Sequence, residues 1–404
     1  MKRFLLLGLF TLFIAVLARA EDPYADHLLG DMGGLRNKLA DKGVDLSLEY
    51  KGDLWGTTSG GVAHGWNYLD NTDIKFNLDG KKLFDWDDTT MLIYFLNNEG
   101  SKPNATRAGT LQGIDNIETQ TNTFKLYEAW IQKNIDHDKW LFLFGLHDLN
   151  TEFMSTDMTS NFTTPSFQNN QTIAQSGKNG PSVFPTTSLA FRVKYAPVKN
   201  AYAEVGIFDG VPGNPGHNHF THIDLRASDG LLLIAEAGVT PGAGDDGAPN
   251  KFGIGSWYYT RSMDNLSGAG QSHQSGSYLL ATYQFYKQES TKQNLGAFIL
   301  PSISTSQSEE CAWSYEAGLV GHGWLPLLKD DEIGFGLSQS HNGASYLAAN
   351  PGSESNEYSL DLYYRGKIGK GVSLQPEVKY IINPGTNSAT VDTIVAGIRL
   401  DVVF

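Results

Sequence analysis

From Val44 to Phe404 the chain returns again and again to a period of two, which restricts most of it to strands. The sharpest instance is the last stretch, VDTIVAGIRLDVVF. Ile394, Ala396, Ile398, Leu400, Val402 and Phe404 fall on one face, and Thr393, Gly397, Arg399 and Asp401 on the other with Val395 and Val403. Successive side chains of a strand point to opposite sides, so one face here is apolar throughout while the other carries charge. A wall with lipid outside and water inside needs that division. A sandwich strand would alternate in the same way. The membrane reading is favoured because the chain stops on an aromatic with no polar tail, as a barrel-closing strand would.

Sixteen windows read as candidate strands, several of them alternating cleanly: 44–54, 68–80, 88–98, 124–134, 139–147, 187–197, 200–208, 229–240, 250–261, 276–287, 293–303, 312–322, 331–340, 356–368, 371–382 and 391–404. The number is even, and most windows approach the roughly 9 to 11 residues that a tilted membrane strand needs. Pro376 removes a ladder hydrogen bond from one window and counts against it. The stretches 140–146 and 231–235 are apolar on both faces, which predicts that something covers their inner side. Connections are short at 136–138, 196–200 and 369–370 but long at 97–123, 148–186 and 209–228, the asymmetry expected of short turns on one rim and long loops on the other. Ahead of the first window, Leu35 and Leu39 lie four apart and Gly43 stands where a helix commonly ends, so a short helix is expected over 35–42.

Lys2 and Arg3, the apolar run 4–17 and Ala18-Arg19-Ala20 have the form of a secretory signal cut after Ala20. Beyond residue 20 every apolar run is soon interrupted. A membrane location therefore requires a closed barrel, since only helices and closed barrels satisfy all backbone groups in lipid. The expected organisation is a signal peptide at 1–20, an N-terminal segment with a short helix at 21–43, and an all-β, sixteen-stranded antiparallel transmembrane β-barrel at 44–404. The composition agrees: 44 Gly, 12% aromatic and 18% charged residues, with a mean hydropathy of -0.28 that suits strands wetted on one side. Loss of Lys2, Arg3 and Arg19 would leave 27 basic against 44 acidic residues, a net charge of -17, which argues against nucleic acid as a partner. The lone Cys311 cannot form an internal disulfide.

The region richest in chemistry is RAGTLQGIDNIETQTNTFKLYEAWIQ, from Arg107 to Gln132. Unbroken parity places Tyr127, Ala129 and Ile131 toward lipid and Glu128, Trp130 and Gln132 toward water. A carboxylate beside an indole suits sugars, whose hydroxyls bond the carboxylate while a C–H face stacks on the ring. The preceding loop adds Asp115, Asn116 and Glu118. Charges of both signs recur at inward positions, among them Arg192, Glu204, Glu236, Asp361, Lys379 and Arg399. Mixed signs leave little net field and favour neutral solutes, though they would equally serve to stiffen the wall. His217, His219 and His222 fit no standard zinc spacing, so no metal or other cofactor is expected. With no GxSxG elbow, HExxH or P-loop, neither is an enzyme.

The ordered stretches LLGDMGGLRNKLADKGVDLSLEY, LQGIDNIETQTNTFKLYEAWIQ, GLHDLNTEF, PSF, FPTTSLAFRVKYAP, AEVGIFDGVPGNPG, DGLLLIAEAG and the closing strand make the chain resemble the carbohydrate-selective porins of the OprB family over nearly its whole mature length. Met32 departs from the tryptophan expected after the Gly-Asp pair. The resemblance implies an integral protein of the bacterial outer membrane, through which glucose and related sugars diffuse passively. It also implies inward-folded loops that narrow the pore near charged residues. On this basis Asp115, Asn116, Glu118, Glu128 and Trp130 are the expected constriction, with Arg107 and Arg192 as opposing charges. Sugars, outer-membrane lipid and, through the C-terminal strand, the barrel-assembly machinery are the expected partners. A structural or adhesive barrel that transports nothing is the rival reading, and an outer-membrane enzyme is the third.

Overall fold

The computed structural model describes residues 23–242, 250–325 and 327–404; the expected signal segment lies outside them. The described residues form sixteen strands: β1 (Val44–Ser59), β2 (Gly65–Asp79), β3 (Thr89–Gly100), β4 (Thr123–Ile135), β5 (Trp140–His147), β6 (Ser188–Val198), β7 (Ala201–Asp209), β8 (Leu231–Val239), β9 (Lys251–Asp264), β10 (Gln271–Gln288), β11 (Gln293–Ser304), β12 (Cys311–His322), β13 (Lys329–Asn342), β14 (Asn356–Gly369), β15 (Val372–Ile382) and β16 (Thr393–Val403). Each pairs antiparallel with its sequence neighbours, and β1 closes on β16 with Asp53 opposite Arg399. Closure leaves no unpaired edge, which is what lets strands cross a membrane. Pro376 interrupts the ladder on one side without shifting its register. Around it the β14–β15 pairing skips from Tyr363↔Glu377 to Gly366↔Leu374, while Pro376 still lies opposite Ile398 of β16.

The expected helix is α1 (Leu35–Asp41), and Gly43 follows it with φ 88°, a conformation that suits a residue without Cβ. The segment containing α1 seals the closing seam. Leu28 donates its backbone N–H to Val403 O at 2.8 Å, and His27 Nδ1 lies 2.9 Å from Phe404 O. Short turns lie on this rim, at 136–139, 199–200 and 370–371, while the long loops 101–122, 148–187 and 210–230 lie on the other.

Outward positions are apolar, as with Phe144 at 57% exposure beside Phe191, Ile254, Leu319, Phe335, Ile394 and Ile398. The inside is only partly wet. Loop 148–187 folds into the barrel and packs Leu149, Phe153, Met154, Phe162, Phe167 and Ile173 against inward residues of β7 to β14, including Phe208, Ile234, Trp257, Tyr278, Phe298 and Tyr363. This cluster is a hydrophobic core in the usual sense, assembled inside a barrel. It supplies the inner cover that the doubly apolar stretch of β8 calls for, since Leu232 and Ile234 belong to it.

One parity assignment is corrected. Tyr127 points inward at 2% exposure and not toward lipid. Tyr94 of β3 faces Glu128 while the adjacent Phe95 faces Leu126, so Tyr127 is the extra residue of a β-bulge. Inward residues are therefore Thr123, Lys125 and Tyr127 before the bulge and Glu128 immediately after it.

Candidate functional site

Two loops narrow the lumen, and wall carboxylates moor both of them. Loop 101–122 offers the backbone N–H groups of Leu111 and Gln112 to Glu357 of β14 at 2.7 and 2.9 Å. Its other anchor is Arg399 of β16. That guanidinium donates from Nε to both Asp53 oxygens at 3.0 Å, and from Nη2 to Asp53 at 2.6 Å, Asp115 at 3.2 Å and Asn116 at 2.7 Å. Asp115 also accepts from Trp55 Nε1 at 2.7 Å and from the Ile117 amide at 2.9 Å. Burial, then the charge of Asp53, pushes the Asp115 carboxyl up, while Arg399 opposes both. Gly397 makes room for this arrangement, because a Cβ there would collide with the Trp55 ring.

Loop 148–187 is held in the same manner. Glu128 of β4 accepts the Asp148 amide at 3.1 Å, and Glu236 of β8 accepts the Met154 amide at 2.8 Å. Thr163 donates to Glu377 at 2.9 Å, Thr164 to Asp361 at 2.5 Å, and Asn170 to Glu316 at 2.6 Å. Lys379, itself buried, donates to Thr163 at 2.8 Å, Thr164 at 2.6 Å and Asp361 at 2.9 Å. A buried carboxylate is costly unless its acceptor sites are filled, and here loop hydrogens fill part of them while wall groups such as Tyr278 and Lys379 meet others.

Where the loops meet, a cleft of about 220 Å³ remains, lined by Asp115, Asn116, Glu118, Asp148, Asn150, Gln168, Asn169 and Phe184 among others. Toward the long-loop rim it shares Glu118, Val183 and Phe184 with a wider vestibule of about 440 Å³ that also carries Lys125 and Lys178. Glu118 accepts from the amides of Asn104 at 2.7 Å and Ala105 at 3.2 Å, yet burial raises its carboxyl above the usual range. Burial, reinforced by the neighbouring Glu128, pushes Asp148 up to about 6. Hydroxyl-rich solutes suit such a passage, since acceptors dominate it and an aromatic ring forms one wall.

Of the seven expected site residues, Asp115, Asn116 and Glu118 line this cleft. The other four lie elsewhere. Glu128 stands behind Asp148, buried, bonded to His147 Nδ1 at 3.0 Å and accepting from Trp130 Nε1 at 3.2 Å. Trp130 is half-buried two residues nearer the short-turn rim. Arg107 donates to Asn67 at 3.2 Å and His64 O at 2.9 Å on the long-loop rim. Arg192 is buried between Glu204 at 2.8 Å and Glu152 at 2.5 Å. Sequence reasoning missed Asp148, Asn150, Gln168, Asn169 and Phe184. Their signals were the length of loop 148–187 and, for Asp148, Asn150 and Phe184, a place in the matching stretches GLHDLNTEF and FPTTSLAFRVKYAP. Cys311 is buried, and among the described residues no cluster of three or more His, Cys, Asp or Glu is placed to hold a metal.

Known proteins agree with this architecture. The chain is similar to Porin B of Pseudomonas aeruginosa, 23% identical over 96% of this chain and 93% of that one. It is likewise similar to a putative porin, QuiX, of Acinetobacter baylyi, 23% identical over 93% of each. Its fold matches the high-pH structure of Pseudomonas putida OprB with a TM-score of 0.83 and 22% identity over 96% of this chain and all of that one. The low-pH structure of the same protein matches with a TM-score of 0.62 and 20% identity, over 94% of this chain and 98% of that one. Residues 63–404 match the profile of one family along nearly the whole barrel, so the chain belongs to the carbohydrate-selective porins of the OprB family.

Proposed function

We propose that glucose and related neutral sugars cross the outer membrane through the cleft between the two inward loops, down their gradient and without chemical change. The observation that carries this reading is the acceptor-lined cleft with Phe184 on its wall. A sugar entering it exchanges part of its hydration for hydrogen bonds to Glu118, Asp148 and the amides, while a C–H face lies against the Phe184 ring. Asp115 and Asn116, held by Arg399, set the opposite side. Glu128 acts one layer back by fixing Asp148, Trp130 lies toward the inner mouth, and Arg107 and Arg192 hold surrounding elements in place. Useful binding is weak enough to release, of millimolar order or about 4 kcal/mol.

The outward apolar band is the lipid contact, cleavage after Ala20 precedes insertion, and the assembly machinery reads the strand ending at Phe404. The test is swelling of proteoliposomes in glucose, with a heat-modifiable band on gels as the check for a folded barrel. Swelling at a rate that saturates at millimolar glucose is expected. A folded barrel that leaves vesicles unswollen in glucose and in arabinose would remove the proposal.

A further inference from the structure

The walls of the narrow cleft are one-sided in charge. Three carboxylates line it, Asp115, Glu118 and Asp148, and among the described residues no Lys, Arg or His does. Their compensation is incomplete. Asp115 shares the single charge of Arg399 with Asp53. Glu118 is held by two backbone amides, and Asp148 by the Tyr127 hydroxyl at 2.5 Å and the Asn150 amide at 2.8 Å, which are dipoles without net charge. The cation whose charge reaches Glu118, Lys102, directs its ammonium at Asn122. Beside Asp148, His147 is bonded to Glu128.

The other polar side chains on the cleft wall, Asn116, Asn150, Gln168 and Asn169, are neutral amides that do not offset this charge. The cleft thus repels a solute that carries a carboxylate. The vestibule, where Lys125 and Lys178 stand near Glu118, admits either sign, so discrimination falls at the cleft.

We propose that this cleft, read as the sugar path, is a charge filter that passes neutral and amino sugars and turns back sugar acids of the same size. The residues that set the filter are Glu118 and Asp148. Proteoliposomes holding the full-length protein can be compared in glucose, glucosamine and glucuronate, which share a ring and differ in charge. At mildly alkaline pH, glucuronate should enter about tenfold more slowly than glucose, a ratio equivalent to about 1.4 kcal/mol, and glucosamine at least as fast as glucose. In Asp148→Asn and Glu118→Gln proteins, each checked for heat-modifiability, the glucose-to-glucuronate ratio should fall toward one. Equal entry of glucose and glucuronate through the unaltered protein overturns the filter and leaves the sugar path standing. Entry of neither, by a folded barrel, removes the sugar path and the filter together.

Discussion

Replacing Arg399 by Met tests how loop 101–122 is tied to the wall. The side chain is buried and makes three hydrogen bonds to Asp53, also fully buried, together with one to Asp115 and one to Asn116. Met keeps much of the volume and removes the charge, so two carboxylates lose their counter-ion in a dry site. Breaking a buried pair in this way costs about 3 to 5 kcal/mol. The cost divides between two places. The Asp53 share falls on the β1–β16 seam, whose backbone ladder runs from Glu49↔Val403 to Ser59↔Ile394 and does not depend on the pair. The Asp115 and Asn116 share falls on the loop, which retains Glu357 as its other anchor. Arg399→Met should therefore still close as a barrel. Its thermal transition should be lower, a protease should cut within 101–122 where it does not cut the unaltered protein, and single channels should show higher conductance with weaker block by glucose. Adding Asp53→Asn removes the stranded seam carboxylate, and should restore part of the thermal transition while leaving the loop cleavable. Wild-type protease resistance and conductance in Arg399→Met would show that the guanidinium does not position the loop. Full recovery of both by the double substitution would show that the Asp115 contact is incidental.

Asp148, raised to about 6 chiefly by burial and then by Glu128, carries its charge above that pH and loses it below. Cation preference in reversal-potential measurements should therefore be strongest above about pH 7 and decline toward about pH 5; a flat profile would take Asp148 off the ion path. Ile398 lies on the outer face at 38% exposure, so Ile398→Asp should cost about 1 to 3 kcal/mol and lower the folded fraction, measured by heat-modifiability. Folding equal to that of Ile398→Val would put this face out of contact with lipid. Gly397→Leu should push Trp55 off the position from which it donates to Asp115, reducing glucose block with the barrel still folded; unchanged block and unchanged Trp55 fluorescence would contradict that packing.

The barrel was legible because its determinant is local. Alternation along ten residues states which face meets lipid, and the closing strand obeys it, with Ile394 and Ile398 outside and Thr393, Arg399 and Asp401 inside. Tyr127 shows where that logic stops. A single bulge shifts the parity of everything beyond it, and no residue in FKLYEAW announces which position is doubled. Nor does inward mean wet. Lys379 faces in and is fully buried, because Thr163 and Thr164 of a loop more than two hundred residues distant in sequence cover it. The candidate site was half legible for the same reason. Asp115, Asn116 and Glu118 sit in a loop beside a strand already rich in charge, whereas Asp148, Gln168, Asn169 and Phe184 enter the cleft only through the path of loop 148–187, which alternation does not describe.

That path explains why the inner wall carries so many charges while so few reach the cleft. A loop lowered into a barrel brings backbone N–H groups that no ladder will satisfy, and each needs an acceptor in a place from which water is being excluded. Glu357, Glu128 and Glu236 provide those acceptors from three separate strands, each to a backbone amide of an inward loop. Apolar loop residues then pack on β7 to β14 and fill that side of the lumen, so the proposed path lies toward loop 101–122 and the cluster on β1 and β16. The wall charges are thus mostly scaffold. On the proposed path, selectivity falls to the few carboxylates and amides that the scaffold holds apart, and a substitution in the mooring set should change pore width before it changes charge preference, whereas Glu118 and Asp148 should do the reverse.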